Sequence, residues 1–220
     1  MVEPVKRRRS YDSTRRREQA RENRSRVLAA AQSQLVERGY AATTIPAIAA
    51  DAGVSVETVY KAFGNKAGLL KAVFDVVIVG DEKPIPMAER DEIKRLQAEP
   101  DAQQKLRLYA QLYADRAKRG VPFELLARAA AASDPAAEQV WAQMAQERLV
   151  GMTHFARHLS DSGFLRPTCS IEEARDVLWT FISPELWELL VLERQWTPGR
   201  FAGWMGRMLI AALLPIADLD

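Results

Sequence analysis

The stretch that most constrains the fold of this chain is residues 43–70, TTIPAIAADAGVSVETVYKAFGNKAGLL. Ile48 and Ala52 lie four residues apart and predict a short helix with one apolar face. Gly53 follows where the chain must turn, because glycine adopts positive φ without steric cost. Ser55 is a good N-cap, so a second short helix is predicted to begin there. Two short helices around a glycine turn predict a helix-turn-helix unit.

Residues from about Arg24 to Val73 resemble the DNA-binding domain of the tetracycline-repressor (TetR) family of bacterial transcription regulators. The matching segments, in the order and at the spacing of that family, are VLAAAQSQLVERGY at 27–40, TT at 43–44, IAADAGVS at 48–55, TVYKAF at 58–63 and NKAGLL at 65–70. From Gly80 onward the chain resembles the family only in helical character and length. In this family that part is the variable ligand-binding and dimerisation domain.

The resemblance implies that the outer side of the second helix meets base edges in the major groove of DNA. Carried over residue by residue, the base-edge set is Val56, Glu57, Thr58 and Lys61. Val56 can touch a thymine methyl, Glu57 can accept from a cytosine amine, and Lys61 can reach guanine or phosphate. The alternative is that Glu57 and Lys61, four residues apart, form a surface ion pair.

The same resemblance implies contacts to DNA phosphates from the edges of this unit. The phosphate set is Thr44, Ser55, Tyr60 and Lys66. Thr44 and Lys66 stand at helix starts, where free backbone N–H groups also favour anions. The alternatives are a plain cap for Thr44, edge packing for Tyr60 and an ordinary surface position for Lys66.

The charge of the chain is concentrated at one end. Residues 1–26 hold ten basic and four acidic residues, a net charge of +6, whereas the rest of the chain carries −4. This asymmetry favours a polyanionic partner for the N-terminus, although a solubilising disordered tail would look similar. The candidate DNA-binding arm comprises Arg7, Arg8, Arg9, Arg15, Arg16 and Arg17.

Helical periodicity continues to the end of the chain, and no strand-like alternation appears. We therefore predict an all-α fold, with an N-terminal three-helix helix-turn-helix DNA-binding domain joined to a larger helical ligand-binding and dimerisation domain. The predicted divisions are 1–20 as a basic disordered or partly helical arm, 21–80 as the helix-turn-helix domain and 81–220 as the second domain. Predicted helices lie at about 21–38, 44–52, 55–63, 65–79, 87–98, 102–118, 123–131, 135–159, 171–194 and 198–214, with Pro184 kinking the ninth.

Aromatic and methionine residues are frequent in the second domain and suggest a cavity for a mainly apolar ligand. The candidate pocket residues are Tyr109, Tyr113, Trp141, Met144, His154, Phe155 and Trp179. The alternative for each of them is ordinary core packing. His154 and His158 are spaced as metal ligands can be, but a third ligand is missing, so we predict no metal.

The last two predicted helices carry more apolar bulk than one buried face needs, which favours a paired-helix dimer interface. Its candidate residues are Phe181, Leu186, Phe201, Met205, Met208 and Leu209. The alternative is that these two helices only close the core of the monomer.

Other classes of protein are disfavoured by what the sequence lacks. The single cysteine, Cys169, excludes an intrachain disulfide and a Cys-rich zinc site. Without a signal peptide or an apolar run of membrane length, the chain is expected to be soluble and cytoplasmic, with no membrane partner.

The sequence shows no catalytic constellation and no phosphate loop, so we expect no catalytic residues and no cofactor. The favoured hypothesis is a homodimeric regulator that binds a double-stranded DNA operator, most simply a repressor released by a small-molecule inducer. The alternatives are a small helical enzyme with His154 or His158 as base, and a ligand-independent or activating regulator.

Overall fold

The computed structural model describes the backbone of residues 7–215 and the side chains of residues 15–215. Within that range all regular structure is helical, with no strand, which confirms the predicted all-α fold class. The α-helices are α1 (Arg7–Ala42), α2 (Ile45–Ala52), α3 (Val56–Phe63), α4 (Lys66–Val79), α5 (Asp91–Ala98), α6 (Ala102–Ala131), α7 (Pro135–Asp161), α8 (Ile171–Phe181), α9 (Pro184–Trp187) and α10 (Pro198–Leu213). A 3-10 turn (Met87–Glu89) precedes α5, and a π-helical turn (Glu188–Glu193) follows α9.

The first helix is longer than predicted, because α1 begins at Arg7 and not near residue 21. Residues 7–20, for which the sequence left a disordered or a partly helical arm open, are helical, and residues 1–6 lie outside the described residues. The physical reason is composition: residues 7–38 contain no glycine or proline and many strong helix formers. The helix is interrupted at Gly39 (φ 75°, ψ 174°), where the sequence predicted its end.

Helices α1 to α4 enclose an apolar core at the positions that the periodicity predicted. Three of the four begin with a side-chain cap: Thr44 Oγ1, Ser55 Oγ and Asn65 Oδ1 accept from backbone N–H groups of α2, α3 and α4. Gly53 ends α2 in the left-handed region, with φ 63°, and turns the chain into α3. The side chains that share this core include Val27, Leu28, Ala31, Leu35, Ile48, Ala52, Val59, Leu70 and Val73.

This core does not stop at the connector that follows α4. Buried side chains from the end of α6 and the start of α7, Phe123 and Met144 among them, belong to the same apolar cluster. Helix α6 also crosses α4 closely at Gly120, where an added Cβ would lie 2.5 Å from Ile78 Cδ1. The guanidinium of Arg119 donates to the carbonyl of Val77 at 2.9 Å and so covers the end of α4. Helices α1 to α4, which contain the helix-turn-helix unit, are therefore packed directly onto α6 and α7.

The structure corrects the predicted breaks in the second half of the chain. Residues 102–131 form one helix that continues through Pro122. Gly120, which the sequence suggested as part of a break, instead lets α6 approach α4 closely. The single kinked helix predicted over 171–194 is three pieces, since α8 ends at Phe181 and Pro184 begins α9.

A second apolar core lies between α6, α7, α8 and α10. It includes Leu106, Leu159, Leu178, Trp187, Phe201, Met205 and Leu209. Among the described helices, none is long and apolar enough to cross a membrane.

Candidate nucleic-acid interface and ligand cavity

Helix α3 presents one open face to solvent. Val59 is fully buried and fixes the inner side of the helix. The outer side carries four exposed side chains, Val56, Glu57, Tyr60 and Lys61. These positions recur at spacings of one, three and four residues and therefore share a face. The structure thus brings three of the four predicted base-edge residues together with one predicted phosphate residue.

Thr58 differs from the rest of the base-edge set. It is half-buried, and its hydroxyl lies 2.8 Å from Ser55 Oγ. Ser55 Oγ also accepts the backbone N–H of Thr58 at 3.1 Å. Both hydroxyls serve the first turn of α3, so Thr58 is not part of the open face.

Two predicted phosphate residues make local contacts that leave donors available. Lys66 Nζ donates to the carbonyl of Tyr40 at 2.9 Å and lies 4.1 Å from the centroid of the Tyr40 ring. An ammonium has three donors, so this bond leaves two for a phosphate. Thr44 is exposed, and its oxygen accepts the N–H of Ala47 at 3.3 Å while its own hydrogen stays available.

Exposed cations of α1 flank α3. The guanidinium of Arg24 lies 4.8 Å from the centroid of the Phe63 ring, and Arg26 Nη1 lies 3.5 Å from where a Cβ on Gly53 would be. Sequence reasoning did not assign either arginine to the interface, because only the fold brings the middle of α1 beside α3. Arg15, Arg16 and Arg17 are also exposed, whereas the side chains of Arg7, Arg8 and Arg9 lie outside the described residues.

The alternative for Glu57 and Lys61 was a surface ion pair. Within residues 15–215, these two side chains do not come within ion-pair distance of each other. Both charged ends are therefore available to an incoming ligand.

A cavity of about 610 Å³ lies between α4, the segment that follows it, α6 and α7. Five of the predicted pocket residues line it: Tyr109, Tyr113, Met144, His154 and Phe155. Trp141 and Trp179 do not line it, and instead their rings lie 5.7 and 5.9 Å from the guanidinium of Arg148. Arg148 does line the cavity, so the two tryptophans support its wall from behind.

The cavity wall contains a buried ion pair that sequence reasoning missed. Arg148 Nη1 donates to Glu124 Oε1 at 2.8 Å, and Glu124 is only 3% exposed. Burial raises the pKa of the Glu124 carboxyl to about 7, although Arg148 acts in the opposite direction. Glu124 and Arg148 lie on different helices, so no local spacing in the sequence could have paired them.

The two tyrosines of the cavity already use their hydroxyls within the protein. Tyr113 Oη donates to the carbonyl of Ile182 at 3.2 Å, and Tyr109 Oη contacts Met152 Sδ at 2.9 Å. Burial raises the pKa of both phenols, which therefore stay neutral. Arg116 also lines the cavity and is paired with Glu92 at 3.1 Å. The cavity is thus less apolar than the sequence predicted.

The two histidines occupy different environments. His154 is exposed, whereas His158 Nε2 lies 2.6 Å from the ammonium of the buried Lys105. Burial and the charge of Lys105 lower the pKa of His158, which favours its neutral form. In the part of the chain that the structure describes, no group of three or more His, Cys, Asp or Glu side chains could hold a metal ion.

Polar contacts join the start and middle of α7 to the helix-turn-helix unit. Tyr40 Oη donates to Asp134 Oδ2 at 2.6 Å, and Asp134 is the N-cap of α7. Lys71 of α4 pairs with Glu147 of α7 at 3.0 Å. Glu147 also lines the cavity, so the wall of the cavity is bonded to α4.

The predicted dimer set divides into two groups. Phe201, Met205 and Leu209 are fully buried within one protomer, so assigning them to a dimer surface was wrong. They close the monomer core, which was the alternative. Met208 is 37% exposed, and Phe181 and Leu186 are half-buried. These three remain available to a partner.

The arrangement of α1 to α4 matches a known family. Residues 27–73 match the model of the bacterial regulatory proteins of the tetR family. Over 61 residues the chain is 41% identical to the HTH-type transcriptional regulator TtgR of Pseudomonas putida. That match covers 28% of this chain and 29% of TtgR, so it spans less than a third of either protein.

Solved structures share the fold over most of the chain. The transcriptional regulator FadR from Bacillus subtilis, in complex with stearoyl-CoA, has a TM-score of 0.66 at 18% identity and covers 86% of this chain and 98% of its own. The SmeT–triclosan complex has a TM-score of 0.64 at 19% identity, covering 88% of this chain and 92% of its own. The chain thus has a region similar to the tetR family at residues 27–73 and shares the fold of these solved structures over most of its length.

Proposed function

We propose that this protein is a sequence-specific DNA-binding transcriptional regulator, and that it acts as a repressor released from its operator by a small ligand. The observation that carries the proposal is the open outer face of α3, which holds Val56, Glu57, Tyr60 and Lys61 in a region matched to the tetR family. A helix of this kind fits the major groove and can read base edges. We therefore also propose that the protein acts in the cytoplasm.

The flanking cations would supply affinity that does not depend on sequence. Arg15, Arg16, Arg17 and Arg24 are exposed on α1, and Lys66 lies at the start of α4. Contacts from such residues to phosphates release counterions. Removing residues 1–17 should therefore flatten the dependence of log K on log salt. An unchanged slope would make this part of α1 a passive extension.

The proposed active species is a homodimer. Two recognition helices must lie about 34–36 Å apart to enter successive major grooves. The half-buried Phe181 and Trp204 have ring centroids 5.5 Å apart, and Met208 lies exposed on the same helix as Trp204. We propose this group as the centre of the dimer surface, in place of the buried residues Phe201, Met205 and Leu209.

The proposed switch follows from the contacts between α7 and the helix-turn-helix unit. A ligand in the cavity touches α6 and α7, and α7 is bonded to α1 through Asp134 and to α4 through Glu147. A ligand that favours a shifted α7 would change the spacing of the recognition helices. DNA affinity would then fall by the differential affinity of the ligand for the two states. Two relatives of the fold are described with bound small molecules, stearoyl-CoA and triclosan.

The role proposed for the chain is binding and not catalysis. His158, one of the two possible bases, is held against the Lys105 ammonium. His154 is exposed to solvent. Neither histidine is thus placed as a general base within a constellation.

The proposal is tested by selecting binding sites from random duplex DNA with the full-length protein. We expect enrichment of two-fold symmetric sites whose half-sites are separated by about one helical turn, the geometry of a dimer. Met208→Glu, at the proposed dimer surface, should lower both dimer content and site affinity. A protein that enriches no sequence, or that binds equally well as a monomer, would contradict the proposal.

A further inference from the structure

Glu124 is a carboxyl group of the cavity wall with a partner for only one of its two oxygens. One oxygen, Oε1, accepts from Arg148 at 2.8 Å. Within residues 15–215, no hydrogen bond reaches its other oxygen, Oε2, and yet this oxygen is not sealed from the cavity. A buried carboxylate normally accepts several hydrogen bonds, so one acceptor position is left for a ligand.

The other charged groups of the cavity are already paired with the protein. Asp75 and Glu147 both contact Lys71, and Arg116 contacts Glu92. Arg148 has Glu124 as its anion and is also shared with the rings of Trp141 and Trp179. Glu185 adds repulsion that disfavours the ionised form of Glu124. Apart from the open oxygen of Glu124, the charges of the wall thus have partners within the protein, and a further positive charge would be favourable beside Glu124.

The shape of the cavity favours a long ligand. Its lining residues on α6 run from Tyr109 to Glu124, and those on α7 run from Met144 to His158. Fifteen residues of helix span about 22 Å at 1.5 Å per residue. Phe74, Leu112, Met152 and Phe155 are among its apolar lining residues. An extended apolar body would fill this space, and aromatic faces also attract cations.

We propose that the cavity binds an elongated organic cation, with its ammonium group beside Glu124 Oε2 and its apolar body along α6 and α7. The inference rests on the proposed ligand-binding role of the cavity and assigns the ligand class. The ammonium gives Oε2 the cationic partner that Arg148 gives Oε1, and it stabilises the ionised form of Glu124. A carboxylate at the same place would lie against Glu124, whose Oε1 already holds a guanidinium nitrogen of Arg148, so anions are disfavoured.

The experiment compares three probes of one chain length: decyltrimethylammonium, decanol and decanoate, each below its micelle-forming concentration. Binding to the full-length protein is followed by tryptophan fluorescence, since Trp141 and Trp179 lie behind Arg148. We expect decyltrimethylammonium to bind most tightly and decanoate most weakly. Tighter binding of decanoate or decanol would overturn the proposal.

Substitution of Glu124 tests the assignment of the head group. Glu124→Gln should weaken decyltrimethylammonium about tenfold or more, since contacts between charged groups are the stronger ones, and should leave decanol within about threefold. The matched control is Glu147→Gln, which lines the same cavity but is neutralised by Lys71, and it should change cation binding little. Equal losses in both variants, or none in Glu124→Gln, would contradict a specific role for Glu124.

The wild-type protein gives a test that does not depend on a variant folding. The probe does not titrate, and the Tyr113 phenol stays neutral, so Glu124 is the titrating group beside the head. His158, whose pKa is lowered, also lines the cavity, but it lies ten residues beyond Arg148 along α7. Affinity for decyltrimethylammonium should rise between about pH 6 and pH 8, as Glu124 ionises near pH 7. A flat or falling profile would count against the proposal.

The outcome for the ligand class can be separated from the outcome for the proposed function. If the cation binds through Glu124 without altering DNA affinity, the inference stands and ligand release of DNA fails. If decanoate or decanol releases DNA while the cation does not bind, the cavity is regulatory and the inference fails.

Discussion

The open face of α3 and the cavity between α6 and α7 use polar side chains in opposite ways. Glu57, Tyr60 and Lys61 stand exposed on α3, with their hydrogen-bonding groups directed to solvent. In the cavity, Glu124 and Arg148 are withdrawn from solvent and bonded to each other. The exposed face of α3 can thus be changed at little cost in stability, whereas the wall of the cavity cannot. Substitutions on the face of α3 should therefore leave the stability of the fold unchanged, whereas substitutions of Glu124 or Arg148 should affect it.

The largest expected difference in stability is between substitutions on the buried side and on the exposed side of α10. Met205→Glu places a charge at a fully buried position, and we expect it to lower the free energy of unfolding by more than about 4 kcal/mol. Met208→Glu, one turn away and 37% exposed, should leave the protomer folded and act on association alone. Denaturant unfolding and sedimentation of the two variants would check this. Normal stability of Met205→Glu would show that α10 does not pack as described.

The next effect concerns pH and Glu124. Its pKa is raised from 4.5 to about 7 in the folded protein, so the fold favours the protonated carboxyl. The contribution of Glu124 to stability is thus present below about pH 4.5 and is lost as the pH rises through about 7.

Glu124→Gln removes this titration. The wild-type free energy of unfolding, relative to that of the variant, should fall between about pH 5 and pH 8, by at most about 3 kcal/mol at 1.36 kcal/mol per pKa unit. Parallel pH profiles of the two proteins, measured by chemical denaturation, would refute the raised pKa.

A smaller effect should follow from the bond between α1 and α7. Tyr40→Phe removes the hydrogen bond to Asp134 and should cost about 1–2 kcal/mol of stability. Tyr60→Phe is the matched control, because the Tyr60 side chain is 50% exposed and should change stability by less than about 0.5 kcal/mol. Thermal unfolding distinguishes the two, and equal shifts would deny Tyr40 its role as a link between the helices.

The same two regions differ in how far the sequence predicted them. The caps Thr44, Ser55 and Asn65 and the turn at Gly53 were predicted because each acts on residues within a few positions along the chain. The continuity of α6 through Pro122 was not predicted, because Gly120 was taken as part of a break and its contact with α4 joins residues distant in the sequence.

For the candidate sites, too, the sequence predicted local features better than contacts between distant residues. Five of the predicted pocket residues line the cavity, but Trp141 and Trp179 do not, because the sequence does not show which side of a helix meets a cavity. The pair of Glu124 and Arg148 was missed because its partners are 24 residues apart on separate helices. Met205 and Leu209 were assigned to a surface because apolar bulk alone does not distinguish a core from an interface.

The central claim is that the outer face of α3 reads DNA sequence while its flanks bind phosphates. The most direct measurement is the affinity of wild type, a Val56→Ala/Lys61→Ala double variant and Tyr60→Phe for the selected site and for each of its single-base changes. The double variant should lose about 1–3 kcal/mol of discrimination for each lost base contact and prefer altered sites. Tyr60→Phe should weaken all sites by a similar factor. Identical preferred sites for the wild type and the double variant would contradict the claim.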